Sequence, residues 1–220
     1  GRAQTKSAVS YKNPVVDIAM PDPTVIKAAD GYFYVYATES TRNVPIMKSK
    51  DLVQWTYCNT AFTNKSRPRF EPKAGIWAPD INYINGKYVL YYAMSVWGGE
   101  QTCGIGVATA NSPQGPFTDH GKMFRSNEIG VQNSIDPSLL QYEGRNYLVW
   151  GSFRGIYVIE LTADGLSIMS GAKKKRIAGT AFEAVYIHKH GDYYYMFASI
   201  GSCCQGVKST YKVVVGRSKK

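Results

Sequence analysis

Short aromatic and β-branched segments recur along the chain, and each of them follows a glycine. The four segments are Tyr32–Ala37, Lys87–Tyr92, Arg145–Trp150 and Asp192–Phe197. Short runs of this kind, bounded by turn residues, are typical of β-strands. No long stretch repeats its apolar positions at the helical period, so the pattern predicts an all-β protein.

A larger repeated unit surrounds each of these strands. It begins with a carboxylate, continues through apolar residues and a glycine turn into the aromatic strand, and ends in a third strand. The third strands are predicted at Pro45–Lys48, Ile105–Ala108, Ile156–Ile159 and Val213–Val215. Units of about 40–50 residues built from short strands are the signature of a β-propeller, in which each unit forms one blade.

The carboxylates that open the four units are the candidate functional groups. They are Asp22, Asp80, Asp136 and Glu183. The first strand of every propeller blade lines the central channel, so residues at equivalent positions meet around one mouth. Clustered like charges raise each other's pKa values, which allows one carboxyl to stay protonated while another is ionised. The alternative is that these residues cap backbone turns, and it suits Asp80 best.

Composition and charge narrow the class of protein without deciding its function. The chain has 220 residues, of which 44% are hydrophobic and 19% charged, and this is enough for one domain with a real core. No apolar run approaches the roughly 18 residues that span a membrane. The formal net charge is +10, but no nucleic-acid motif accompanies it, so we expect the basic run Lys173–Arg176 to lie in a solvated loop.

The cysteines argue against a zinc site, because none of the four belongs to a C-x-x-C pair. Cys203 and Cys204 are adjacent, and a disulfide between neighbouring residues is expected to be strained. Three isolated histidines, at positions 120, 188 and 190, are expected to be structural rather than metal ligands.

Six segments of the chain, taken in order, resemble glycoside hydrolase family 43, and within it the endo-α-1,5-L-arabinanases. The segments are Met20–Ile26, Ile76–Ile81, Asn133–Ser138, Trp150–Phe153, Phe182–Tyr186, and Cys203–Tyr211 with Val215–Ser218. They run from the first unit to the last residues. The stretch Cys203–Gly206 points to the arabinanase branch of the family.

The resemblance implies a five-bladed propeller that hydrolyses glycosidic bonds with inversion. Asp22 would be the general base that activates water, and Glu183 the general acid that protonates the leaving oxygen. Asp136 would favour the protonated form of that acid and help to orient it. An inverting pair needs room for a water molecule, so we predict that the carboxyls of Asp22 and Glu183 lie about 6.5–9.5 Å apart.

Substrate contacts follow from the same resemblance. Trp77 is a candidate for stacking on a sugar ring, whereas blade packing is the favoured role for Trp97. Further residues match segments that line the cleft of the resembling enzymes: Asn133, Ser134, Ser152, Phe153 and Arg154. Arg154 is equally suited to a salt bridge.

Arabinanases of this kind often hold a metal ion in the central channel through a histidine of the last blade. The resemblance thus implies a structural calcium or other ion in the central channel, but no histidine here matches that position and its ligands are not found in this chain. The chemistry itself is expected to need no cofactor.

Four units are visible in the chain, and a fifth is not. Residues 1–220 are therefore expected to form a single catalytic β-propeller domain that lacks its last blade. An open arc would leave a sheet edge and an apolar face uncovered. We therefore predict a second chain or fragment, or a dimer, that closes the gap.

Three alternative functions would use a propeller of this kind. An exo-acting α-L-arabinofuranosidase or a β-xylosidase would use the same acids. A non-catalytic carbohydrate-binding propeller would have no need of all three acids. A fructan-processing propeller would carry arginine where this chain has Ile135.

The expected partner is plant cell-wall arabinan or pectin side chains, with no nucleic acid and no membrane span. Such a polymer cannot enter a cell, so the protein is expected to be secreted, periplasmic or at the cell surface.

Overall fold

The computed structural model describes residues 10–219, and their regular secondary structure consists almost entirely of β-strands. The strands are β1 (Thr24–Lys27), β2 (Phe33–Tyr36), β3 (Pro45–Ser49), β4 (Thr56–Thr60), β5 (Gly75–Ile84), β6 (Lys87–Ser95), β7 (Gly104–Ala110), β8 (Thr118–Arg125), β9 (Ser138–Tyr142), β10 (Arg145–Trp150), β11 (Ile156–Leu161), β12 (Lys175–Ala178), β13 (Glu183–His190), β14 (Tyr193–Ile200) and β15 (Lys212–Ser218). One helical turn, α1 (Ser126–Ile129), follows β8, and a 3₁₀ turn spans Gly206–Lys208.

The strands form four antiparallel sheets, and each sheet is the blade of a β-propeller. The first three contain β1–β4, β5–β8 and β9–β12, and the fourth contains β13–β15. Within every sheet, strands that follow one another in the chain are hydrogen-bonded neighbours. The predicted aromatic strands are β2, β6, β10 and β14, and the predicted third strands are β3, β7, β11 and β15, so both sets of predictions are confirmed.

The first strands of the blades lie beside one another, which places the beginning of each blade near the propeller axis. Strand β1 packs against β5, β5 against β9, and β9 against β13. Tight hairpins lead outward from them. In the second blade, Asn85 and Gly86 both have positive φ, 48° and 79°, which is the geometry that a two-residue hairpin requires. These hairpins fix the register of the inner strands.

Apolar clusters fill the spaces between neighbouring blades. Tyr36, Phe62 and Tyr92 are buried between the first and second blades, where the rings of Phe62 and Tyr92 meet edge to face at 6.0 Å. Trp150 and Phe124 are buried between the second and third blades. Each such side chain contributes about 1.5–3 kcal/mol on burial, so packing between blades is the main source of stability.

A buried ion pair also joins the first blade to the second. The side chains of Glu39 and Arg67 are only 8% and 9% exposed, and the guanidinium of Arg67 donates to both carboxylate oxygens of Glu39. The backbone N–H groups of Asn43 and Ile76 donate to the same carboxylate. Burial alone would raise the pKa of Glu39, but these donors outweigh it and leave that pKa below its ordinary value.

One expectation from the sequence needs correction. Lys175 and Arg176 do not belong to a loop, because they begin β12 and pair with β11, where Arg176 lies opposite Tyr157. Within the basic run, only Lys173 and Lys174 lie in a loop. Cys203 and Cys204 do form a disulfide, which closes within the loop between β14 and β15.

The described residues contain no helix that is long and apolar enough to cross a membrane.

Candidate active site

Asp22 and Asp136 occupy equivalent places in the first and third blades. Each precedes a proline and stands two residues before the inner strand of its blade. Both adopt a left-handed backbone conformation, with φ of 51° and 58°. Such values are uncommon outside glycine, and aspartate is one of the few residues that tolerates them. The two residues thus share one backbone conformation at corresponding places in their blades.

Glu183 belongs to the same ring of residues but is displaced by one position. It opens β13, and the pairing of β13 with β14 is irregular between Glu183 and Tyr186. Ala184 takes the left-handed conformation, with φ of 52°, that Asp22 and Asp136 take in their blades. The expectation that all three acids share one register is therefore corrected, because the acid of the fourth blade precedes the turn instead of forming it.

The three acids interact electrostatically, and we call Asp22, Asp136 and Glu183 the carboxylate cluster. Burial raises the pKa of Asp136 well above its ordinary value of 3.8, and the charges of Glu183 and Asp22 raise it further. A hydrogen bond from the backbone of Ala184 opposes this shift only in part. Carboxylates from three blades thus lie close enough for two of them to raise the pKa of the third.

The carboxylate of Glu183 is held at both oxygens. The hydroxyl of Ser152 donates to Oε2 at 2.7 Å, and the hydroxyl of Tyr211 donates to Oε1 at 2.5 Å. Burial and the hydrogen bond to Glu183 raise the pKa of Tyr211. Tyr211 therefore stays protonated and remains a donor at any physiological pH.

Asp22 is the most solvent-accessible acid of the cluster, and the side chain of Thr38 holds it. The hydroxyl of Thr38 donates to its Oδ2 at 2.6 Å, and accepts in turn from the backbone N–H of Ala78 at 2.7 Å. Because Ala78 belongs to the second blade, this relay also connects the first two blades. An exposed carboxylate held in this way suits contact with a water molecule.

Asp80 does not belong to the carboxylate cluster, and its position and hydrogen-bond partners show why. It stands five residues before the first residue of its hairpin turn, as Ser138 does in the third blade, so it is not the equivalent of Asp136. Its Oδ2 accepts from the backbone N–H of Leu139 at 2.9 Å and from the amide of Asn82 at 2.7 Å. Burial raises the pKa of Asp80 to about 6, against the effect of these hydrogen bonds. Asp80 is thus a buried tie between the second and third blades.

Two tryptophans form an aromatic pair on the second blade. Trp77 lies on β5 and packs against Ile135, the residue before Asp136. Its ring meets that of Trp97 with 5.5 Å between centroids, and Trp97 is 79% exposed. Blade packing, the role favoured for Trp97 from sequence, is therefore wrong. An exposed ring beside a half-buried one is the kind of surface on which a sugar can stack.

The segment before Asp136 contains one fully buried residue, Ser134, and one half-buried residue, Asn133. Ser134 is completely buried, its hydroxyl donates to the carbonyl of Val131, and it accepts from the indole of Trp150 at 3.0 Å. Ser134 thus braces the backbone beneath the site, which corrects its expected contact with substrate. Asn133 is half-buried and donates to the backbone carbonyl of Ser152 at 3.2 Å.

Phe153 and Arg154 follow Ser152 along the chain. Phe153 is half-buried, and its backbone N–H donates to the carbonyl of Phe182, the residue before Glu183. The side chain of Arg154 donates to both carboxylate oxygens of Glu100, at 3.1 and 3.0 Å. Arg154 is therefore a salt-bridge residue, and this pair joins the second blade to the third.

The histidines serve other contacts. His120 hydrogen-bonds Thr109 at 2.7 Å, and the ring of His188 stacks on Tyr186. Among residues 10–219 no group of three or more His, Cys, Asp or Glu side chains is placed to hold a metal ion.

The family model of glycosyl hydrolases family 43 matches residues 11–220. The chain belongs to this family. Its curated relatives include the extracellular endo-α-(1→5)-L-arabinanase 1 of Bacillus subtilis, which is 37% identical over 90% of this chain. An extracellular exo-α-(1→5)-L-arabinofuranosidase of Cellvibrio japonicus is 35% identical over the same share. The chain spans 64% of the length of each of these two relatives.

Solved structures of the family share this architecture. The α-L-arabinanase of Cellvibrio cellulosa, in complex with arabinohexaose, superimposes with a TM-score of 0.82 and is 31% identical. The match covers 92% of this chain and 71% of that protein.

Proposed function

We propose that this protein is an inverting glycoside hydrolase that cleaves α-1,5-linked L-arabinan at internal bonds. The observation that carries the proposal is the carboxylate cluster, in which the pKa of Asp136 responds to both Asp22 and Glu183. The names of the relatives supply the substrate, since they describe enzymes that act on this linkage.

In the proposed reaction, two acids act from opposite sides of a furanose ring. Asp22 accepts a proton from a water molecule, whose oxygen forms the new bond to the anomeric carbon. The bond from that carbon to the leaving oxygen breaks, and Glu183 gives its proton to that oxygen. The exposed position of Asp22 and the two-point hold on Glu183 fit these roles.

Asp136 is the third member and is proposed to keep a proton within the cluster. Its burial beside two other carboxylates raises its pKa, so Asp136 binds a proton more tightly than an isolated aspartate does. In a coupled set the proton is available to the member that donates it to substrate.

Aromatic and polar residues around the cluster are proposed to bind the polymer. Trp77 and Trp97 offer stacking surfaces on the second blade. Asn133 and Phe153 of the third blade are proposed to line the approach to the cluster, together with the Arg154–Glu100 pair between the second and third blades. Two of the relatives are named extracellular, and a polymeric substrate has to be met outside the cell, so we propose a secreted or cell-surface location. The comparisons give no support to a second chain that supplies a blade, and it is not part of the proposal.

Product analysis on debranched arabinan tests the proposal. We expect arabino-oligosaccharides of mixed length early in the reaction, detected by anion-exchange chromatography. Release of arabinose alone would contradict internal cleavage and favour the exo mode that the Cellvibrio japonicus relative is named for. Glu183→Gln is the control, because it should bind arabinan without cleaving it.

A further inference from the structure

Tyr211 contacts the carboxylate cluster from a loop that contributes none of the three acids. It lies 28 residues beyond Glu183, just before β15, yet its hydroxyl is 2.5 Å from Oε1 of Glu183. On the other side, Ser152 donates to Oε2 from the third blade. The backbones of Ser152 and Glu183 also form an isolated β-bridge. Two blades and one loop therefore converge on a single carboxyl group.

The loop that carries Tyr211 is closed tightly at its base. The backbone N–H of Thr210 donates to the carbonyl of Ser202, and the N–H of Ser202 donates to the hydroxyl of Thr210, both at 3.0 Å. Gly201 has φ of +85°, and a Cβ at this position would lie only 2.6 Å from the carbonyl oxygen of Thr210. This close approach fixes the residue next to Tyr211.

We propose that Tyr211 and Ser152 are positioning residues for the acid Glu183, an inference that rests on the proposed function. One donor at each oxygen fixes the rotation of the carboxyl group and leaves a second lone-pair site on each oxygen for the catalytic proton. Hydrogen bonds to an ionised acceptor are stronger than bonds to a neutral one. The two hydroxyls therefore stabilise the carboxylate that forms as the proton leaves, which assists proton delivery in the transition state.

This role predicts a dependence on the leaving group. Cleavage of arabinan needs protonation of a poor leaving group, a sugar hydroxyl. A 4-nitrophenyl glycoside of an arabino-oligosaccharide releases a stable phenolate and needs little help from an acid. Loss of a residue that serves only the acid should thus slow the first reaction far more than the second.

The test compares both substrates in Tyr211→Phe and Ser152→Ala, with the wild type assayed alongside. We expect kcat/KM on arabinan to fall about 10- to 100-fold, and on the nitrophenyl substrate less than about 3-fold. The basic limb of the pH–rate profile on arabinan should move to higher pH, because the carboxylate of Glu183 has lost a donor. Ser152→Thr keeps a hydroxyl and should restore most of the rate.

Tyr195→Phe is the matched control, since it removes a phenolic hydroxyl from the middle strand of the same blade and should leave both rates unchanged. Equal losses on both substrates with an unmoved pH limb would overturn the inference, as would an unchanged rate on arabinan. Failure of the wild type to cleave arabinan would instead overturn the proposed function, so the two failures are distinguishable.

Discussion

Two regions of the molecule bury carboxylates, and they treat them in opposite ways. Between the first and second blades, Glu39 is surrounded by donors, with Arg67 and two backbone N–H groups directed at its oxygens. In the carboxylate cluster, Asp136 has two other acids beside it and one opposing backbone hydrogen bond. The pKa of Glu39 is lowered and the pKa of Asp136 is raised.

The contrast separates a carboxylate that stabilises the fold from one that is costly to it. A lowered pKa in the folded state contributes stability above the unfolded pKa, and that stability is lost as the pH falls. A raised pKa has the reverse effect, because the folded state holds a proton that the unfolded state has released. The cluster is therefore expected to weaken the fold at neutral pH, and a function has to account for its presence.

The largest expected effect is on activity in Asp136→Asn. The side chain keeps its shape but no longer ionises, so the rate on arabinan should fall about 10³- to 10⁴-fold, or about 4–5.5 kcal/mol of barrier. The free energy of unfolding should equal or exceed that of the wild type at pH 7, and the difference should vanish as the pH falls to 4. Kinetics and urea unfolding across this range check both parts. An active Asp136→Asn variant would contradict the comparison. So would a variant whose free energy of unfolding, relative to that of the wild type, is lower at pH 7 than at pH 4.

Breaking the other region should reduce stability. Arg67→Met leaves Glu39 buried without its cation, and the free energy of unfolding should fall by about 3–5 kcal/mol at pH 7. The loss should shrink as the pH falls and Glu39 takes up a proton. Arg145→Met is the control, because the side chain of Arg145 is 64% exposed and lies 3.6 Å from Glu160, so the loss of this pair should cost less than about 1 kcal/mol. Equal losses in the two variants would refute the distinction.

Asp80 gives a smaller and more selective test, since burial raises its pKa as it raises that of Asp136, but its carboxylate has structural partners. Asp80→Ala leaves the N–H of Leu139 without its acceptor and should destabilise the fold by about 1–3 kcal/mol. Asp80→Asn retains an acceptor oxygen and should cost less. The rate per folded molecule should stay within about 3-fold of wild type in both. A selective loss of rate in Asp80→Asn would move Asp80 into the catalytic set.

The repeated strands could be predicted from sequence because each blade is a local meander. Strands that pair are neighbours in the chain, so the glycine turn and the aromatic run that follows carry the information. Register within the blade was harder to predict. The bulge after Glu183 and the different position of Asp80 depend on backbone conformation, which the residue types alone do not reveal.

Contacts between blades were the least predictable part of the site. Tyr211 lies within a segment that resembles the family, but only the folded chain brings its hydroxyl to Glu183. Thr38 and its bond to Asp22 carry no sequence signal. Burial misled the sequence-based prediction in both directions, since Ser134 is covered by neighbouring segments and Trp97 is left exposed.

Stereochemistry tests the central claim most directly, because it depends on whether Asp22 and Glu183 leave room for a water molecule between them and the sugar. Proton NMR of the first products from an α-1,5-arabino-oligosaccharide, recorded before mutarotation, gives the answer. Inversion predicts that the β-anomer appears first, consistent with carboxyls about 6.5–9.5 Å apart. Initial formation of the α-anomer would show retention and contradict the mechanism.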